Sequence, residues 1–263
     1  MSYLINSPTL TGSSSIYSDK AFSSLEQEKI ANLYARYNAY IHQFLPLYKQ
    51  HLLREYIEVK KEFPNIDFDV SIRIKSKRSY EQKVIRKLQE GKTGNVYDTF
   101  ANKFILFSKN GQSDESTLEK ACYEVRDFLV SYNKNLEELP DKRKDYIATP
   151  KESGYQSEHI TRNHDYGSFH FFSETQIKTF RMRERELFGA ASHAILYKDR
   201  GSILNNPSEI KNSTPKYLSI VTNKSENSCK IYELSFEQCF EHFFGMAYTD
   251  YKKKYKEEQD MER

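Results

Sequence analysis

The chain has 263 residues, 38% apolar and 14% aromatic with no tryptophan, which suits one domain with appendages and a real core. A charged fraction of 29%, a net charge of +3 and a mean hydropathy of -0.79 describe a soluble protein with a weak lean towards anionic partners. Three scattered cysteines exclude a disulfide framework, the Cys239/His242 pair lacks the second half of a zinc site, and the lack of a leader or long apolar run points to the cytoplasm and away from a membrane.

Residues 1–22 are rich in Ser and Thr and read as a loose segment. Ser24 and Gln27 resemble a capping box, and Leu25, Ile30, Leu33, Tyr37, Ile41 and Phe44 follow at helical spacing. Pro46 is expected to end that helix, with a second running from Leu47 to about Phe63. From Asp67 to Ile74 apolar and polar residues alternate, which predicts a half-buried strand that delivers Arg73 and Lys75 at its end. A helix is expected over Ser79–Leu88, a strand over Asn102–Phe107, and an amphipathic helix over Thr117–Tyr132 with Leu118, Cys122, Val125, Phe128 and Leu129 inward. Glu137–Lys144 reads as a charged connection, and His164-Asp165 as a turn.

The stretch from Lys144 to Lys198 carries the densest chemistry. Pro150, Ser153 and Gly154 make a loop that presents Tyr155 beside Lys151, Gln156 and His159, a flat platform for a base with polar groups at its rim. Ser168–Thr179 reads as a strand with Glu174, Gln176 and Lys178 on one face, continued by a helix from about Arg181 to Tyr197. Upstream, the end of the first strand feeds a helix start holding Ser79, where free N–H groups favour phosphate and Lys75 and Lys83 add point charges. Arg73 is planar enough to stack on a purine. After Lys198 a long Asn/Ser/Pro-rich loop precedes two short strands, Tyr217–Val221 and Lys230–Leu234, and a terminal helix over about Phe236–Glu258.

The motifs DYI-x-x-PK-x-x-GYQS-x-H, E-x-QI-K-T and H-x-x-x-YK, the last being His193, Tyr197 and Lys198, resemble the synthetase domain of the RelA/SpoT family, of the small single-domain alarmone-synthetase or toxin type. The pattern R-x-K-x-x-x-S-x-x-x-K from Arg73 to Lys83 matches the family's ATP motif, so the resemblance covers about half the chain. It implies an α/β (α+β) nucleotidyltransferase-like fold, a mixed β-sheet flanked by helices. The corresponding organisation is a flexible segment over 1–22, a synthetase domain with N-terminal helices over 23–198, and a C-terminal hairpin-plus-helix extension over 199–263. The implied activity moves pyrophosphate from ATP to a ribose 3′-hydroxyl. Asp98 and Glu174 would be the catalytic and Mg²⁺-binding residues. Arg73, Lys75, Ser79, Lys83 and Lys103 would bind ATP, and Tyr155, Lys151, Gln156, His159 and Gln176 the acceptor. Ala101 and Lys103 stand where the family has Gly and Arg, Lys178 where it has Arg, and Glu158 where it has an apolar residue that borders the acceptor. A guanine nucleotide, GDP or GTP, is the acceptor expected first, giving (p)ppGpp. A toxin-type member acting on the 3′ end of tRNA and held by an antitoxin is second, and a catalytically inactive nucleotide-binding module third. The clusters at Lys60, Lys61, Lys142, Arg143 and Lys144 read either as surface charge or as a track for an RNA backbone. The 72 residues before Arg73 hold none of the His-Asp pattern of the family's hydrolase domain, so product hydrolysis is not expected. A homo-oligomer is compatible with the resemblance, which leaves the assembly state open.

Overall fold

The computed structural model describes residues 24–108, 113–132, 136–189, 217–223, 228–234 and 246–261, together with Gln238 and Glu241. The Cys239/His242 pair and the matched His193, Tyr197 and Lys198 lie outside these residues, as does the segment 1–22.

One helix, α1 (Ser24–Glu62), replaces the expected pair and carries Pro46 inside it. Pro46 and His42, whose carbonyl loses its partner, are both exposed, so water satisfies what the proline leaves open. On the other side Tyr37, Phe44, Tyr48, Leu52, Tyr56 and Val59 are buried, at steps of seven, four and three residues that keep to one face. Burial at roughly 1.5–3 kcal/mol for each large side chain outweighs the ~3 kcal/mol cost of an interior proline.

The remaining elements are β1 (Ile66–Ile74), α2 (Lys77–Gln89), β2 (Phe100–Ser108), α3 (Glu115–Tyr132), β3 (Leu136–Glu138), a 3-10 turn (Pro140–Lys142), β4 (Lys144–Asp145), β5 (Glu158–Asp165), β6 (His170–Thr179), α4 (Phe180–Phe188), β7 (Tyr217–Asn223), β8 (Ser228–Leu234) and α5 (Tyr248–Met261). The strands form one mixed sheet in the order β3-β5-β6-β2-β1-β7-β8, with β4 also on β5. Among the described strands only the central pair β2–β6 is parallel; the other pairings are antiparallel. The mixed sheet with flanking helices is the expected fold class. The charged connection contains β3 and β4, two strands too short to leave a period in the sequence. His164-Asp165 is the end of β5 rather than a turn; the turn follows at Gly167, whose φ of 78° suits glycine. The terminal hairpin adds β7 to the β1 edge, and α5 packs Tyr251 and Tyr255 on Phe188 of α4, each with ring centroids 5.3 Å apart.

The sheet has two unlike faces. One carries Phe68, Val70, Ile72, Phe100, Phe104, Leu106, Ile160, Phe171 and Ile177 and is sealed by α1 and by Leu118, Ala121, Cys122, Val125 and Leu129 of α3. Within this core lies a buried polar chain. The Arg162 Nη2 donates to Glu55 Oε2 at 3.0 Å and to Thr175 Oγ1 at 3.0 Å. Asn102 Oδ1 accepts from Thr175 at 2.9 Å and from Tyr48 at 2.6 Å. Burial pushes the Glu55 carboxyl up, but Arg162 and His51 outweigh it and bring it to about 2. Among the described residues no helix is long and apolar enough to cross a membrane.

Candidate active site

Register alone assembles a row of functional groups on the other face. Arg73 in β1 lies beside Ala101 in β2, which lies beside Glu174 in β6, which lies beside Thr161 in β5. One step along, Ser71, Lys103, Gln176 and His159 are neighbours in the same way, followed by Asp69, Ile105 and Lys178. Residues opposite one another across a sheet share a face, so the acid, amide and cation of β6 meet the basic residues of β1 and β2 and the imidazole of β5.

A first cluster forms at the start of α2. Ser76 is its N-cap, accepting from the N–H of Ser79 at 3.3 Å, so Ser79 sits inside the first turn rather than at the cap. Asp98 lies on the turn before β2 and is gripped by Lys75 Nζ at 2.9 Å and Lys83 Nζ at 2.7 Å. Burial pushes the Asp98 carboxyl up, but the two ammonium groups outweigh it and hold it below the usual range. Burial lowers Lys75, whose main-chain oxygen also accepts from Tyr37 of α1. Four of the expected donor-side residues are thus adjacent: Lys75, Ser79, Lys83 and Asp98. Arg73 ends the same strand.

A second cluster surrounds Tyr155. A tight turn from Lys151 to Gly154 (φ 76°) returns the chain, with Gly154 N–H donating to the Lys151 carbonyl at 2.7 Å. The phenol oxygen of Tyr155 lies 2.8 Å from His159 Nε2, 3.1 Å from Gln176 Oε1 and 3.1 Å from Lys178 Nζ. Lys151 and Lys178 stand 5.0 Å and 4.6 Å from its ring centroid. Gln156 accepts from Arg185 of α4 at 2.5 Å. Glu174 accepts from Gln176 at 3.0 Å and has His159 Nδ1 at 3.5 Å. Burial raises the Glu174 carboxyl, yet His159 and Gln176 hold it well below the usual range, so it is an anion at neutral pH. The clusters meet where Tyr97, next to Asp98, rests its ring 4.9 Å from Phe172, two residues before Glu174 on the same face.

The sequence did not reveal the residue that ties this face together. Glu186 of α4 is 7% exposed and binds Lys103 at 2.6 Å, Lys178 at 2.8 Å and Arg183 at 2.8 Å. Burial alone would raise its carboxyl, but the three cations hold it well down. Lys103, expected to bind ATP, pairs with Glu186. Buried Asp69, near Arg183, has no hydrogen-bond partner for either carboxylate oxygen among the described residues, and burial pushes it well above the usual range. Glu158 corrects a further expectation. It pairs with Ile177 on the opposite face from His159 and meets Arg126 of α3 at 3.3 Å, so it does not border the acceptor cluster. Of the basic clusters, Lys61 pairs with Glu58, Lys60 lies 5.6 Å from the Tyr56 ring centroid, and Arg143 pairs with Glu138.

No group of three or more His, Cys, Asp or Glu side chains that fits a metal occurs among the described residues. Mg²⁺ needs fewer, because it keeps waters and takes one or two carboxylates plus substrate phosphates. Asp98 and Glu174, both ionised, fit that donor set.

Residues 72–202 match the model described as the region found in RelA/SpoT proteins. The chain belongs to the RelA/SpoT family. It is 34% identical over 170 residues to the probable chloroplastic GTP diphosphokinase CRSH of Arabidopsis thaliana, covering 64% of this chain and 27% of that protein. A guanosine-3′,5′-bis(diphosphate) 3′-pyrophosphohydrolase of Borreliella burgdorferi is 27% identical over 210 residues, 78% of this chain and 29% of that one. The chain therefore spans under a third of the length of these curated relatives. The small alarmone synthetase 1 of Bacillus subtilis bound to pppGpp superposes with a TM-score of 0.46 at 22% identity, over 67% of this chain and 86% of that one.

Proposed function

We propose that the protein is a pyrophosphokinase that transfers the β,γ-pyrophosphate of ATP to the 3′-hydroxyl of a guanine nucleotide. The observation that carries the reading is the shared sheet face: a lysine-rich helix start around Asp98 adjoins an ionised Glu174 beside a pinned tyrosine platform. The similarity to a protein named probable GTP diphosphokinase supports it.

Lys75, Lys83 and the free N–H groups of α2 receive the donor's phosphates. Arg73 stacks on the adenine. Tyr155 supports the acceptor base, with Lys151 and His159 beside it and Gln176 holding its hydroxyl. The 3′-oxygen attacks the β-phosphorus, the bond from that phosphorus to the α,β-bridging oxygen breaks, and AMP leaves with the electron pair. Glu174 lies on the strand facing the acceptor and receives the 3′-OH proton as the new bond forms. Mg²⁺ held by Asp98 and Glu174 would supply charge neutralisation at the transferring group.

The test is incubation of the full chain with ATP labelled in its β and γ phosphates and, separately, GDP, GTP, AMP and bulk tRNA. Label should move to GDP and GTP and stop on addition of EDTA. Glu174→Ala should lower kcat by about a thousandfold or more with the fold retained. Label on tRNA alone would replace the guanine reading with the RNA-modifying one. Transfer to no acceptor would make the chain a binding module.

A further inference from the structure

Of the groups that meet the Tyr155 hydroxyl, one carries a charge that the roles above leave unexplained. The Lys178 ammonium, fully buried, donates to that hydroxyl at 3.1 Å, to Gln176 Oε1 at 3.3 Å and to Glu186 Oε2 at 2.8 Å. An ammonium has three protons, so these contacts use them all. Of the three partners only Glu186 is charged. Burial lowers the Lys178 ammonium, and Glu186 is the largest influence that keeps it charged.

Glu186 reaches this point from α4, which starts directly after β6 with Thr179 as its N-cap. Its other oxygen takes the Lys103 ammonium of β2 at 2.6 Å, and Arg183, one turn earlier on α4, meets it at 2.8 Å. Three cations therefore share one carboxylate. Asp69, the other acid near Arg183, has no hydrogen-bond partner for either oxygen among the described residues, and burial pushes its carboxyl up, so it is the poorer counter-charge. A buried ionic cluster is seldom worth more to stability than well-packed apolar residues, but removing one member strands the rest. Without the Glu186 charge the Lys178 ammonium withdraws or sheds its proton, and the phenol loses its charged donor. The helix that presents Glu186 is itself held on both sides: Arg185 donates to Gln156, next to Tyr155, and Tyr251 of α5 donates to Glu184.

We propose that Glu186 is a positioning residue for the acceptor platform: by holding the Lys178 ammonium against the Tyr155 hydroxyl, it fixes the ring that supports the acceptor. This rests on the functional reading for the acceptor's place at Tyr155. Glu186 touches no substrate in this role and acts through Lys178 alone.

The test has two readouts. The first needs no ligand: the full chain is prepared with 3-fluorotyrosine at position 155 alone, as wild type, Glu186→Gln and Glu186→Asp. The fluorine resonance should broaden or move in Glu186→Gln and return towards its wild-type position in Glu186→Asp, which keeps the charge. The second is calorimetric binding of GDP to the chain without fluorine. Glu186→Gln should weaken it about three- to tenfold. In a Tyr155→Phe background the same substitution should change nothing further, because the hydroxyl through which it acts is gone. An unmoved resonance in Glu186→Gln overturns the proposal. So does an equal loss of GDP affinity with and without the Tyr155 hydroxyl, which is what general damage to α4 would give. A wild-type chain that binds no GDP overturns the guanine-nucleotide reading, and the fluorine spectrum still decides whether Glu186 fixes the ring.

Discussion

Tyr155 shows how one side chain is prepared for a task before any ligand arrives. Its hydroxyl contacts His159, Gln176 and Lys178, so the ring is fixed in orientation. The two parts separate by mutation. Tyr155→Phe keeps the ring and loses the polar contacts, and should raise the acceptor KM about tenfold or less. Tyr155→Ala removes the stacking surface and should raise it by about 10- to 100-fold, with the ATP KM unchanged in steady-state assays. The sequence singled out Tyr155, Glu174 and Asp98 as candidates because their neighbours in the chain form a pattern. Glu186 was not among them, since a glutamate in RMRERELF reads as a solvated helix face until the helix is seen lying on Lys103 and Lys178. Asp69 was missed for a related reason: alternation assigned it to the open side of β1, and α4 then covered that side.

At the scale of elements, periodicity located β1, β2, α3 and β6 because each is long enough to repeat its apolar spacing, whereas β5 carries polar residues at most of its positions and was not expected. It failed at α1, where proline chemistry was read without knowing which side of the helix faced water. Pro46→Ala restores a donor to the exposed turn at His42 and removes the ring's clash there. The variant should be more stable by about 1–3 kcal/mol in thermal or urea unfolding, with unchanged transfer kinetics. β3 and β4 escaped notice because three and two residues carry no period, yet they set Lys142 and Lys144 along the rim.

The whole molecule depends on a pairing no local pattern reveals, the parallel contact of β2 with β6, which brings the Asp98 region beside Glu174 across 76 residues of chain (174 − 98). Beneath it two buried carboxylates make stability pH-dependent in opposite directions. Glu55 is lowered to about 2, so its contribution is present above the unfolded carboxylate value and lost as pH falls towards 2. Glu158 is raised to about 7, chiefly by burial, so stability declines as pH climbs from the unfolded value to 7. Glu158→Gln should therefore narrow the difference in Tm between pH 5 and pH 8, measured by scanning calorimetry.

The Asp98 carboxylate sits between Lys75 and Lys83. On the proposed function, a triphosphate that arrives together with its divalent ion swaps partners like for like: each lysine passes to a phosphate oxygen, Asp98 passes to the ion, and nothing charged is stranded. Either arriving alone breaks the trio and leaves one member without a counter-charge in a half-dry setting. Nucleotide and ion should then strengthen each other's hold by one common factor, whichever enters first.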